Sequence, residues 1–149
     1  MTGTTPYQLQ VVVDCRSPHE LADWWADALG WQVEPQDEAF IRSMVDKGFA
    51  TEAETTTLHG HLVWASGAAV NHPDGWGPRI LFQEVPEAKT VKNRVHLDLR
   101  ATGEPSQDEL NRLTSLGATR LGEGSQGPNH WVVLADPEGN ELCLPVPAG

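Results

Sequence analysis

Three side chains with complementary chemistry alternate along one short stretch in the second half of the chain. His96, Asp98 and Arg100 occupy every second position, and the residues between them are apolar. This alternation predicts a β-strand whose polar face presents an imidazole, a carboxylate and a guanidinium together. Such a group is suited to proton transfer, so we predict His96 as acid or base, Asp98 as the residue that orients it, and Arg100 as a ligand contact.

Tryptophan is unusually abundant, with six residues against a single tyrosine. Trp24 and Trp25 lie in a segment with helical spacing of apolar residues and are predicted to pack in a core. Trp64, Trp76 and Trp131 lie in or beside predicted strands and loops, where an indole ring can border a pocket. We predict that these three residues contact a ligand.

The cysteines and the closest histidine pair do not predict a catalytic or metal centre by themselves. Cys15 and Cys143 are too few for a disulfide framework, and neither has a sequence neighbour that would lower its pKa, which favours buried thiols. The pair His59 and His61 lacks a fixed acidic cluster beside it. We interpret both as exposed loop histidines.

The composition excludes several classes of function. The chain has 149 residues, 39% of them hydrophobic, which is enough for one compact domain. No apolar run approaches the roughly 18 residues of a membrane span, and the amino-terminal segment is polar, so we expect a cytoplasmic protein without membrane contact. The net charge of −11, from 21 acidic and 10 basic residues, disfavours nucleic-acid binding and would attract a cationic ligand.

The elements that must position these residues follow a pattern that occurs twice. In the first half, Tyr7 to Val13 alternates like a half-buried strand, and a helix is predicted from Ser17 to the closing residue Gly30. A turn then precedes a strand over Arg79 to Val85. The first half therefore reads as strand, helix and strands.

The second half repeats this order. The strand that carries His96 is followed by a helix that Ser106 caps and Gly117 ends, and the turn that begins at Asp136 precedes a strand over Glu141 to Val146. Two such units in one chain indicate duplication, in which each sheet uses one face to hold its helix.

Three segments depart from the repeat. Glu38 to Ala50 is predicted as an extra short helix, and Thr51 to Trp64 as an acidic loop that leads into a strand. Gly122 to His130 is rich in glycine and is interpreted as a flexible turn, with a lid over a pocket as the alternative.

Three motifs carry a resemblance to a known family: Leu29-Gly30-Trp31, the run from Arg79 to Leu99, and the run from Asp136 to Cys143. Within the second run, the sequence from Lys89 to Asp98 is the most specific. Together the motifs resemble the glyoxalase-like domain group of the vicinal-oxygen-chelate superfamily, which includes the glyoxalase, bleomycin resistance and dioxygenase proteins. The resemblance covers about residues 8 to 146.

This resemblance implies an α+β fold, with two tandem βαβββ modules that form a half-barrel-like sheet around a central pocket. The modules would span about residues 8–86 and 93–146 of a single domain, 1–149. Members of the superfamily include lyases, isomerases and ring-cleaving dioxygenases, as well as antibiotic-sequestering proteins that perform no chemistry. The fold alone therefore does not define the reaction.

The resemblance also implies where a metal ion would bind. Metal-dependent relatives take one ligand from the first strand and one from the last strand of each module. Gln10 and His96 match the first-strand positions, and Cys143 matches the last strand of the second module, with Glu141 as the alternative. In the first module the match is Gln83 or Leu81. Gln10, Gln83 and Glu141 are accordingly predicted as ligand contacts as well.

This set of donors is poor in carboxylates. No cofactor is therefore the main expectation, and a divalent metal, Zn, Ni, Mn or Fe, bound by Gln10, Gln83, His96 and Cys143, is the alternative. We predict a small-molecule-binding protein of the bleomycin-resistance type that sequesters a cationic or aromatic ligand. The second prediction is a metal-dependent lyase or isomerase that acts on a small polar metabolite. In either case we expect a homodimer, because one core does not cover so many tryptophans.

Overall fold

The structure, a computed structural model, describes residues 3–149 of the chain. The chain divides into two compact units, Met1–Pro86 and Glu87–Gly149. Each unit contains one open four-stranded sheet. Among the described residues, no helix has the length and apolar character that a membrane span requires.

The first unit builds its main sheet from strands that are far apart in the sequence. Strand order is β1-β6-β5-β2, with β1 parallel to β6 and the other pairs antiparallel, while β3 and β4 form a separate hairpin. The elements are β1 (Val11–Cys15), α1 (Pro18–Leu29), β2 (Gln32–Val33), α2 (Glu38–Asp46), a 3₁₀ turn (Glu52–Glu54), β3 (Thr55–Leu58), β4 (His61–Trp64), β5 (Gly67–Asn71) and β6 (Ile80–Glu84).

Helix α1 provides the core of the first unit. Apolar residues recur along one face, and Leu21 and Trp25 are almost fully buried against β5 and β6, where Val70 and Phe82 have no exposed surface. Trp24 is also buried, so the structure places both helix tryptophans in the core. Gly30 ends the helix with a φ of 67°, a conformation that a residue with a Cβ rarely adopts.

The second unit has the same order of elements. Its sheet runs β7-β10-β9-β8, again with the first strand parallel to the last. The elements are β7 (Leu97–Asp98), α3 (Gln107–Ser115), β8 (Thr119–Gln126), β9 (Asn129–Ala135) and β10 (Glu141–Val146). Each unit therefore contains a βαβββ module, and the predicted α+β class is confirmed. Neither sheet closes into a barrel.

Side-chain hydrogen bonds fix the start of helix α3 and the turn between strands β9 and β10 in the second unit. The Ser106 hydroxyl accepts a hydrogen bond from the backbone N–H of Asp108 and caps α3. The turn between β9 and β10 is held by the buried carboxylate of Asp136, which accepts the backbone N–H groups of Glu138 and Asn140, each at 2.9 Å. The predicted cap and turn are both present.

The first strand of each unit is shorter than predicted. Tyr7 is 94% exposed, and the strand begins only at Val11, because Val11 is the first residue that pairs with β6. Val95 is 76% exposed, and β7 contains only two residues. Alternation of apolar residues indicates strand propensity, but a strand also requires a paired neighbour for its backbone groups.

Two predicted loops form hairpins instead. In the segment Thr51 to Trp64, a two-residue turn at His59 and Gly60 joins β3 and β4, and both turn residues have positive φ, 50° and 80°. This geometry matches the twist of a tight hairpin. The glycine-rich segment Gly122 to His130 belongs mostly to β8 and β9, which pair on either side of a short turn, so it is a hairpin rather than a flexible turn. Its role as a lid over a pocket stays a prediction.

Candidate functional site

An open pocket of about 830 Å³ lies on one face of the second unit's sheet. Alternation along β9 explains how it forms, because Val132 and Leu134 are buried on one face and Trp131 and Val133 line the pocket on the other. Strand β10 alternates in the same way, and Cys143 is one of its pocket residues. The sheet thus has a core face and a pocket face.

The polar centre of this pocket consists of an imidazole, a carboxylate and a thiol. His96 Nε2 lies 3.3 Å from Asp98 Oδ1, and parallel pairing of β7 with β10 places Asp98 opposite Cys143. The nitrogen, oxygen and sulfur atoms of the three residues all lie within 4.8 Å of one another. Arg100 lines the same pocket. We call His96, Asp98 and Cys143 the pocket triad.

The environment of Cys143 favours the protonated thiol. Burial raises the pKa of this thiol, and the negative charge of Asp98 together with a hydrogen bond to its carboxylate raises it further. The charge of Lys92 opposes the shift without reversing it. A protonated thiol is a weak nucleophile, so this arrangement does not provide a reactive cysteine.

Glu141 lines the pocket, but its carboxylate is already bonded. It is 9% exposed, with one oxygen 3.2 Å from Lys89 Nζ and the other 3.2 Å from the backbone nitrogen of Asn93. Burial acts to raise its pKa, but hydrogen bonds from its own backbone, Lys89 and Asn93, with the charge of Lys89, outweigh burial and the pKa is lowered. Glu141 therefore anchors the segment that precedes His96, and Cys143 is the β10 residue beside His96.

Trp131 borders the pocket in a position that depends on a glycine. A Cβ atom added at Gly124, opposite Trp131 on β8, would lie 2.6 Å from the indole carbons Cε2 and Cζ2. The absence of a side chain at Gly124 lets the indole lie against the backbone of β8. This role of Gly124 was not predicted from the sequence, although a glycine within a strand is a signal that could have indicated it.

The first unit has a separate pocket of about 480 Å³, which Trp64 and Gln83 help to line. An ion pair belongs to its lining: Arg79 Nε and Nη2 donate to the two oxygens of Glu34 at 2.8 and 2.9 Å. Hydrogen bonding to Arg79 lowers the pKa of Glu34 against the effect of burial. The third guanidinium nitrogen of Arg79 donates to Gln10 Oε1 at 3.1 Å, so the Gln10 side chain is hydrogen-bonded to the arginine of this ion pair. The ion pair of Arg79 and Glu34 was not predicted from the sequence.

The strand register is compatible with both first-unit alternatives for the last-strand ligand. Val12 pairs with Leu81 and Asp14 pairs with Gln83 in the first unit, as Asp98 pairs with Cys143 in the second. Gln83 and Leu81 therefore both stay predictions. Of the four predicted metal ligands, His96 and Cys143 lie in the pocket triad and Gln10 and Gln83 lie in the first unit, so the complete set remains a prediction.

The remaining candidates lie outside the linings of the two pockets described above. Trp76 is 60% exposed and its ring lies 4.1 Å from that of His72. His59 is exposed in its turn, and His61 is exposed in β4, with Nδ1 3.4 Å from a carboxylate oxygen of Glu38. Neither histidine belongs to the pocket triad.

Comparison with known proteins identifies the family. The sequence profile of the glyoxalase-like domain matches residues 10–145, and comparison with curated proteins gave no significant match. The structure is similar to hypothetical protein SA1046 from S. aureus, with a TM-score of 0.60 and 10% identity, covering 96% of this chain and 95% of the other. The structure is also similar to a glyoxylase/bleomycin resistance protein/dioxygenase domain from Frankia sp. EAN1pec. The TM-score is 0.54 and the sequence identity 14%, and the match covers 97% of this chain and 94% of the other.

A third similar structure is that of the fosfomycin resistance protein FosX from Listeria monocytogenes, complexed with Mn(II) and sulfate. It has a TM-score of 0.60 and 8% identity, and the match covers 99% of this chain and 92% of FosX. Similarity at this identity shows a shared fold. The profile match, which spans nearly the whole sequence, shows that the chain belongs to the glyoxalase-like domain family.

Proposed function

We propose that the protein binds an organic small molecule in the pocket of the second unit, with an aromatic part of the ligand against Trp131. The observation that supports this most strongly is the combination of a partly exposed indole with the pocket triad on one sheet face. The volume of about 830 Å³ falls within the range of about 300 to 1,000 Å³ typical of ligand pockets. Trp131 supplies flat apolar surface, and the triad supplies polar contacts that orient the ligand.

Binding without a chemical step is favoured over catalysis. The Cys143 thiol is held protonated, and the Glu141 carboxylate is occupied by Lys89 and Asn93. Neither of these two groups is suited to act as a nucleophile or a base, so catalysis would depend on His96, which pairs with Asp98. The proposal is therefore that the protein sequesters its ligand, as bleomycin-resistance proteins do. Of the two ligand classes predicted from the sequence, cationic and aromatic, Trp131 favours an aromatic ligand.

A thermal-shift screen of aromatic compounds, followed by calorimetry, tests this proposal. Trp131→Leu should reduce the affinity for the compounds that bind by about tenfold or more, since it removes the stacking surface. Trp76→Leu is the matched control, because Trp76 lies outside the linings of both described pockets, and it should retain the affinity. Equal losses in the two variants would refute a role for the pocket.

A second candidate function, a metal-dependent lyase or isomerase, is favoured specifically by the pocket triad. The triad fits a borderline ion such as Zn²⁺ in number and type of donor, because catalytic zinc sites commonly use three protein ligands and keep one open position. A thiol among the donors favours Zn²⁺ over the Mn²⁺ of the FosX structure. A bound ion would supply Lewis-acid polarisation or an activated water.

Elemental analysis of protein purified without added metal or chelator separates the two candidates. Metal-dependent function predicts near-stoichiometric Zn, Ni, Mn or Fe that is lost in Cys143→Ala and His96→Ala. The control His61→Ala, an exposed histidine outside the triad, should keep the metal. If the protein contains no metal and takes up none during dialysis against zinc, the second candidate is rejected.

A further inference from the structure

The carboxylates that line the second unit's pocket all have partners within the protein. Asp98 pairs with His96 at 3.3 Å, and Glu109 pairs with Arg112, whose Nε and Nη2 donate to its two oxygens at 3.0 and 2.9 Å. Glu141, the third carboxylate of the lining, is bonded to a lysine and a backbone N–H as described above. Two of the three carboxylates are therefore paired with a cation, and the third lies beside an imidazole.

The two cationic residues of the same lining differ in this respect. Neither Lys92 nor Arg100 forms an ion pair with a carboxylate among residues 3–149. Lys92 Nζ donates to the backbone oxygen of Asn93 at 3.2 Å, and Lys92 lines the pocket together with the pocket triad. Arg100 follows Asp98 by two residues along the chain. Both cations are thus open to a ligand anion.

We infer that the ligand of this pocket is an aromatic anion, whose carboxylate or phosphate group is bound by Arg100 and Lys92 while its ring lies against Trp131. This inference rests on the proposed function and specifies the class of its ligand. A guanidinium presents paired N–H donors that match the oxygens of a carboxylate or phosphate. An anionic ligand replaces the cationic ligand that the overall charge of −11 led us to expect, because the acidic side chains of the pocket already have partners within the protein.

Three probes that share one ring system test the inference: 1-naphthoate, 1-naphthamide and 1-naphthylmethylammonium. By calorimetry at low ionic strength, the wild-type protein should bind naphthoate about tenfold more tightly than naphthamide, and the ammonium compound most weakly. Arg100→Gln and Lys92→Gln should each reduce the preference for naphthoate over naphthamide to about threefold or less. The affinity for naphthamide should stay nearly unchanged in both variants.

The control variant is Arg120→Gln, which removes the same charge from an exposed arginine that pairs with Glu123 and does not line the pocket. It should keep the preference for naphthoate. If naphthamide or the ammonium probe binds the wild-type protein as tightly as naphthoate, the inference is wrong although the proposed function stands. An unchanged preference in both pocket variants, or an equal loss in the control, also overturns it. If none of the probes binds while uncharged aromatic compounds from the screen do, the inference is wrong and the proposed function stands. If neither the probes nor any compound of the screen binds, the proposed function fails as well.

Discussion

At the scale of single residues, the pocket triad differs from the anchoring network in what it contributes to folding. His96 is 43% exposed and pairs with Asp98, so its imidazole adds little apolar burial to the second unit. Glu141, by contrast, is buried and bonded to Lys89 and to the backbone of Asn93. A substitution of His96 should therefore change mainly ligand binding, and a substitution of Glu141 should change mainly the stability of the fold.

For His96→Ala we expect the melting temperature to change little and the affinity for pocket ligands to fall by about tenfold. Calorimetry with the tightest compound from the screen, combined with thermal denaturation, measures both effects. A large loss of stability with unchanged affinity would show that His96 is structural.

Glu141→Gln should destabilise the protein by about 1 to 3 kcal/mol at neutral pH, since Lys89 loses its charged partner in a buried position. The pKa of Glu141 is lowered from its ordinary value of 4.5. The ionised Glu141 carboxylate therefore makes its full contribution to the free energy of unfolding above pH 4.5, and this contribution is lost as the pH falls through the lowered pKa. Denaturation at a series of pH values should show a shallower acid dependence in Glu141→Gln than in the wild-type protein. Glu104→Gln is the control, because Glu104 is exposed. If the stability of the wild-type protein and that of Glu141→Gln depend on acidic pH to the same extent, the role assigned to Glu141 is wrong.

At the scale of elements, local signals predicted those features that depend on neighbouring residues. The turn at Asp136 and the helix cap at Ser106 both appear, because a side chain close in sequence makes the bonds. The start of β1 was predicted too early at Tyr7, since strand limits depend on pairing with a distant strand. The adjacency of Asp98 and Cys143 likewise arises from parallel pairing of β7 with β10, which the sequence does not reveal.

The contact between β8 and Trp131 can be tested by substituting glycines of the same strand. Gly124→Ala should displace the indole of Trp131, because the added methyl group would lie 2.6 Å from ring carbons, and should weaken ligand binding. Gly122→Ala is the matched control, with nothing within 4 Å of the added carbon. The indole N–H resonance of Trp131 should shift in the first variant and stay in place in the second. Identical spectra for the two variants would contradict the predicted contact.

At the scale of the whole molecule, we predict a homodimer. Large apolar side chains remain exposed in both units, including Phe49 in the first unit and Val91 and Val95 in the second. Association of two chains would remove such surfaces from water. Light scattering coupled to size-exclusion chromatography should give twice the chain mass of 16.3 kDa at micromolar concentration. A constant mass of one chain across that range would refute the dimer.

The family assignment accounts for the fold, and the function depends on which surface the ligand occupies. The most direct test is a crystal structure of the protein with the tightest compound found in the screen. We predict that the compound lies in the second unit's pocket, with its aromatic ring against Trp131 and its polar group within hydrogen-bond distance of Arg100 or the pocket triad. A compound bound instead in the pocket that Trp64 lines, or outside both pockets, would contradict the account.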